Sequence, residues 1–198
     1  MSEGVPFAHA AVATDSIATA YHAVVTEAGV RPGERVVVVG LGGLGLNGVK
    51  FSALSGAKVF GVDKDSSVFD AARSQGAAGC STSIHEVAGN VDVVIDFAGV
   101  GVTTADAVLK VRPGGRVILV GLGSDSTTIS TQALITKNVQ LRGSIGASRR
   151  DLEAVLEFLA EGVHRPVVEE VPFDELTSGV KRLERGEVTG RLFTRPNL

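Results

Sequence analysis

Apolar positions along the chain fall into short unbroken runs: RVVVVG at 35–40, AKVFGVD at 57–63, VDVVIDFAG at 91–99, GRVILVGLG at 115–123 and VQLRGSIG at 139–146. β-Branched residues dominate them. Runs that are continuous, not alternating, mark strands covered on both faces, as in a parallel sheet. Helix-like stretches lie between and after them, at 44–55, 66–75, 103–110, 128–136 and 149–161. This alternation predicts an α/β fold: a doubly wound parallel sheet of about six strands with helices on both faces. One crossover is short. Between GAAGCST (76–82) and NVDVVID (90–96), where Gly89 and Asn90 interrupt the few connecting residues, there is room for a loop or a single turn. The ends differ from the middle: residues 13–28 read as helix before the first strand, and 167–172, 174–185 and 190–194 read as strand, helix and strand after the last. The organisation expected is a leading linker and helix at 1–28, a nucleotide-binding unit at 29–162 and a return segment at 163–198. No internal repeat or low-complexity tract interrupts it.

Composition narrows the class without changing the fold. The 198 residues suit one generous domain, and 25 glycines in a Val-rich, Ala-rich chain indicate tight turns between buried strands. A formal net charge of -3 without a basic cluster argues against nucleic acid as a partner. Cys80 stands alone, which excludes a disulfide framework and a cysteine-rich zinc lobe. MSEGVPFAHA has no basic start followed by an apolar core, and no apolar run reaches membrane-spanning length, so a soluble, cytoplasmic protein is expected.

Chemistry first shows in RVVVVGLGGLGLNGVKFSALSG, which carries G-x-G-x-x-G at Gly40, Gly42 and Gly45. The pattern alone is weak. Here it follows a buried strand and opens a helix, the setting a dinucleotide-binding (Rossmann) turn requires. Gly40 allows the tight turn, Gly42 lets the backbone approach a pyrophosphate, and Gly45 permits close helix–strand packing. The helix start offers unpaired N–H groups and a positive dipole end to phosphate. Asp63, about 20 residues on, completes the fingerprint by accepting hydrogen bonds from the adenosine ribose, and it repels a 2′-phosphate. NAD is favoured over NADP, a preference tempered by Lys64. Binding of S-adenosylmethionine on the same sheet, or a turn with no ligand at all, are the competing readings of these residues.

With those residues in place the chain resembles the zinc-dependent medium-chain alcohol dehydrogenases. The resemblance rests on ordered motifs: TAYHAV (19–24), RPGERVVVVGLGGLG (31–45), GAKVFGVD (56–63), VDVVIDFAG (91–99), LKVRPGGRVILVGLG (109–123), NVQLRGSIGASRRDL (138–152) and GEVTGRLF (186–193). It implies the family's cofactor domain, without the N-terminal catalytic domain that carries the proton relay, two catalytic zinc ligands and the structural zinc lobe. It also implies roles for matching positions. Thr19 lies beside the nicotinamide and Leu44 behind its ring; Gly43 belongs to the glycine turn; backbone at Val120, Leu122, Ser144 and Gly146 holds the carboxamide; Arg191 reaches the pyrophosphate. Val68 stands where some members carry a basic residue, which leaves the adenine side undefined. A homodimer pairing through the strand near 138–144 is implied as well.

Asp15, four residues before Thr19, occupies the place of the family's third catalytic zinc ligand. Aspartate suits zinc, but one carboxylate cannot hold the ion, and the residue type equally suits a helix N-cap over the N–H groups of 17–19. In this chain the cap is expected; in the parent enzyme, the ligand. His22 is expected to be packed or half-exposed and not a zinc ligand, and His9, His85 and His164 show no ligand spacing. Ser16 and Tyr21 lack the Tyr-x-x-x-Lys of a short-chain pair, since Val25 stands at that spacing, and no G-x-S-x-G elbow exists.

The function expected is therefore that of the NAD-binding part of an alcohol dehydrogenase, positioning nicotinamide for hydride transfer with a small alcohol or carbonyl substrate, inactive alone. Zinc belongs to the parent enzyme. A zinc-free quinone or enoyl reductase relative and a non-catalytic nucleotide-binding module are the alternatives.

Overall fold

A computed structural model describes residues 4–196. Residues 7–27 form one helical rod in which α1 (Phe7–Val12) and α2 (Ala18–Tyr21) alternate with wider π-helical turns at Ala13–Ile17 and His22–Glu27. Then follow β1 (Arg35–Val39), α3 (Gly45–Leu54), β2 (Lys58–Val62), α4 (Phe69–Ser74), β3 (Gly79–Ser81), β4 (Val91–Asp96), α5 (Val102–Lys110), β5 (Val111–Leu119), α6 (Thr131–Thr136) and β6 (Gln140–Gly143). α7 (Arg149–Ala160), β7 (Val168–Glu170), α8 (Leu176–Glu184) and β8 (Arg191–Phe193) close the chain.

The first six strands make one parallel sheet in the order β3-β2-β1-β4-β5-β6, and β7 and β8 pair as a separate parallel ribbon. The valine runs explain the layering. Val36 and Val38 of β1 enter one core with Val59, Val93, Ile95 and Ile118, against α3, α7 and the 7–27 rod. Val37 and Val39 enter the opposite core with Val62, Val94 and Val117, against α5 and α6. Because both faces are dry, nothing polar alternates with the valines. The short link after β3 holds a single turn at Ile84–Glu86, as its length demanded.

Several element ends fall elsewhere than the apolar pattern predicts. The leading helix starts at Phe7, not 13, because Pro6 ends the extended entry and its carbonyl accepts the N–H groups of His9 and Ala10, both at 3.0 Å. Asp15 is therefore inside the rod, in a π-helical turn with no side-chain cap bond, and the expected N-cap is overturned. β4 stops at Asp96, not 99, because the Asp96 carboxylate draws in the N–H groups of Ala98 (3.1 Å) and Gly99 (2.9 Å). β5 runs 111–119, not 115–123. Val111 pairs with Val91 around an irregularity, and beyond Leu119 the N–H groups of Val120 and Gly121 both turn to the Asp96 carbonyl. β6 ends at Gly143, short of 146.

α7 is tied to the rod by one carboxylate. Ser148 and Asp151 form a reciprocal cap, and Asp151 also accepts from Thr26 Oγ1 at 2.7 Å and His22 Nδ1 at 2.8 Å. His22 is packed as expected. Burial would raise the Asp151 pKa, but the Ser148, Thr26 and His22 hydrogen bonds outweigh it and hold it down at about 2. The folded value lies below the usual 3.8, so this contribution is fully present above that pH and is lost as pH falls toward about 2. Asp151→Ala is expected to lower stability by about 2 kcal/mol at pH 7 in urea denaturation, with the difference shrinking on acidification. A difference that does not shrink contradicts the carboxylate's role.

Candidate functional site

The glycine turn leaves β1 at the point where the sheet order reverses, between β1 and β4, the crevice where open α/β sheets bind ligands. Gly40 has φ +84°, and a side chain there would press on the Ala98 backbone at 2.8 Å. At Gly45 a Cβ would lie 1.7 Å from the Gly40 carbonyl oxygen, so the first turn of α3 sits directly on the strand end. Gly42, by contrast, is exposed with nothing within 4 Å of a Cβ position: its outer side is open. Leu44, half-buried, immediately precedes α3.

Asp63 closes the turn from β2. Its Oδ2 accepts the Leu41 N–H at 2.7 Å and its Oδ1 the Asp65 N–H at 3.0 Å. Each oxygen keeps a lone pair for a further donor. Lys64 is exposed beside it.

Val120, Leu122 and Ser144 come together past the carboxyl ends of β5 and β6, in a cleft of about 480 Å³ that Gly143 and Ile145 also line. Leu122 and Ile145 are 90% and 88% exposed, so the cleft mouth is apolar and uncovered. Among the described residues Ser144 Oγ meets no hydrogen-bond partner although it is buried, while the Ser144 N–H donates to the Leu119 carbonyl at 2.9 Å. Gly146 follows β6 with φ +59°. Thr19 is buried in α2.

Arg191 lies against the glycine turn: a Cβ on Gly43 would fall 2.6 Å from its Cδ. Its Nη2 donates to Asp15 Oδ2 at 2.9 Å. Asp15 is 73% exposed, and this surface pair holds Arg191 loosely. No group of three His, Cys, Asp or Glu suited to a metal ion exists among the described residues. Asp15 alone does not fit zinc, which takes three protein ligands at catalytic sites.

A zinc-binding dehydrogenase family model matches residues 43–161, more than half of the chain. The chain belongs to that family. An alcohol dehydrogenase of Geobacillus stearothermophilus is 30% identical over 172 residues, which cover 83% of this chain and 51% of that protein. Alcohol dehydrogenase 2 of Caenorhabditis elegans is 31% identical over 175 residues, 82% of this chain and 50% of the relative. Among solved structures, an acetophenone reductase from Geotrichum candidum in complex with NAD superimposes with a TM-score of 0.92 at 31% identity, over 98% of this chain and 57% of its own. The chain thus spans about half the length of these curated relatives.

Residues outside the sequence motifs' assigned roles organise this candidate site from behind. Asp96 is fully buried and, besides the two N–H groups that end β4, accepts the hydroxyls of Thr103 at 2.7 Å and Thr104 at 2.8 Å. Gly99 and Gly121 let the loops after β4 and β5 mesh backbone to backbone; a Cβ on Gly99 would sit 2.0 Å from the Gly121 carbonyl oxygen. The signal was present as Asp-x-x-Gly at 96–99, at the end of a stretch read as strand and family motif, with two threonines at 103 and 104 just beyond it. Asn47 and His164 carried no such signal. The contrast between Gly45 and Gly42 is testable: Gly45→Ala should cost about 3 kcal/mol in urea denaturation, and Gly42→Ala under about 0.5 kcal/mol. Equal losses would contradict the open side assigned to Gly42.

Proposed function

We propose that this chain is the NAD-binding portion of an alcohol dehydrogenase, holding nicotinamide for hydride transfer between cofactor and a small alcohol or carbonyl compound. The observation that carries the reading is the turn itself: an open Gly42 at the start of α3, closed from behind by Asp63. The residues fit the dinucleotide. Gly42, Gly43 and Leu44 would take the pyrophosphate at the helix start, with Arg191 beside them. Asp63 would take the adenosine ribose and disfavour a 2′-phosphate, with Lys64 nearby. The orphan Ser144 hydroxyl and the backbone near Val120, Leu122 and Gly146 would hold the carboxamide, with Thr19 and Leu44 flanking the ring. Bound NAD supplies the hydride acceptor, and the chain's own residues orient it. The acetophenone reductase with NAD bound supports this reading by its likeness over nearly the whole chain.

Zinc, in this reading, belongs to the whole enzyme, with Asp15 as one ligand; no step here passes through it. The apolar groove of α8 and β8, where Leu176, Val180 and Leu183 are exposed among the described residues, speaks against a free-standing nucleotide module. No described helix is long and apolar enough to cross a membrane, and the cytoplasm remains the proposed setting. Pairing of two copies through β6, whose Gln140, Arg142 and Gly143 are exposed at the sheet edge, would give a homodimer; a strictly monomeric chain at high concentration contradicts it.

Calorimetry should show NADH binding with NADPH at least about tenfold weaker, and Asp63→Ala narrowing that gap, because a ribose acceptor that repels phosphate is removed. Absence of NADH binding, or tighter NADPH binding, overturns the proposal.

A further inference from the structure

Asn47, in the first turn of α3, is 4% exposed, and all of its polar functions are engaged. Its Nδ2 donates to the Gly43 carbonyl at 2.8 Å and to the Ser16 carbonyl at 3.0 Å. Its Oδ1 faces His164 Nε2 at 2.8 Å. Two carbonyl acceptors settle which end of the amide is NH₂, so Oδ1 is the acceptor and His164 carries its proton on Nε2. His164 is fully buried against Phe51, ring centroids 5.1 Å apart. Its Nδ1 meets no partner among the described residues. Burial, reinforced by Lys50 and His9, holds its pKa down at about 4, so the ring is neutral near pH 7.

A buried amide and imidazole are a demanding way to fill a core, because each is unfavourable unless hydrogen-bonded, and two apolar side chains would need no partners. What the pair does that apolar side chains cannot is grip the Gly43 carbonyl. The peptide between Gly43 and Leu44 is planar and trans, so its C=O and N–H point in opposite directions. Drawing the Gly43 carbonyl toward buried Asn47 turns the Leu44 N–H the opposite way, away from Asn47, in a turn whose Gly42 is open on its outer side.

We propose that Asn47, locked by His164, is a positioning residue that aims the Leu44 N–H at the pyrophosphate of the bound dinucleotide. The inference rests on the nucleotide reading above and adds a device that joins three distant segments: the rod at Ser16, the glycine turn, and the chain after α7.

The test compares ADP-ribose, which has the pyrophosphate, with adenosine, which lacks it, by calorimetry on the whole chain. In the Asn47→Leu/His164→Leu double variant the amide and imidazole leave together and neither strands the other, but the Gly43 and Ser16 carbonyls lose a donor, so the melting temperature should fall modestly with the fold retained. Its ADP-ribose affinity should fall about tenfold with adenosine affinity unchanged, the loss of one well-aimed phosphate contact. His164→Leu alone should weaken ADP-ribose binding severalfold, and His164→Gln, which keeps a donor for Asn47 Oδ1, should restore most of it. Original-strength ADP-ribose binding by the double variant, or parallel loss of adenosine binding, overturns the proposal while leaving the nucleotide reading intact. If the double variant does not fold, the His164→Leu and His164→Gln pair decides, and equal ADP-ribose affinity in the two overturns the proposal. An original chain that binds no ADP-ribose overturns both readings together.

Discussion

The absent side chain at Gly45 is the constraint on which the rest of the site depends. The Gly40 carbonyl oxygen lies where a Cβ would be, 1.7 Å from its ideal position. Only glycine lets α3 begin on top of the strand it follows. From that contact comes the direction of the helix start, whose unpaired N–H groups then face the crevice beside β4. The same seating brings Leu41 within reach of Asp63, Asn47 within reach of Gly43, and Gly43 against Arg191. A helix displaced outward by one methyl group would loosen each of these contacts.

A second set of close approaches carries the order across the sheet. Gly99 and Gly121 mesh the loops after β4 and β5, and buried Asp96 holds the first loop through two backbone and two hydroxyl donors. Both N–H groups that follow Leu119 go to the Asp96 carbonyl, so the end of β4 determines where β5 stops and where the apolar cleft opens. Dry packing on both sheet faces keeps these strand ends in register. The glycine turn and the cleft are thus two ends of one rigid edge.

Much of this was legible in the chain because the deciding contacts are local. Valine runs announce strands buried on both faces, and G-x-G-x-x-G with an acid one strand later announces the turn and its brace. What escaped depends on partners far away in sequence. Asp15 in an alanine-rich stretch reads as a cap, yet its carboxylate meets Arg191, 176 residues on, in a rod that begins earlier at Pro6. Strand ends at Asp96 and Leu119 were missed because one carboxylate and one carbonyl terminate the ladder, a feature no apolar pattern records. His164 and Asn47, 117 residues apart, show no spacing at all; only the fold makes them neighbours. Of the positions matched by resemblance, Val120, Leu122 and Ser144 line one cleft and Arg191 lies against Gly43, while Thr19 is buried in α2.

In the proposed function, the turn from Gly42 to Leu44, braced by Asp63, would receive a dinucleotide whose far end reaches the cleft at Leu122 and Ser144. Backbone amide chemical shifts, followed while NADH is added, test it most directly. The account predicts the largest changes at Gly42, Gly43 and Leu44, with further changes near Asp63 and at Leu122 and Ser144. Changes confined to the α8 groove, with the turn amides unmoved, would contradict it.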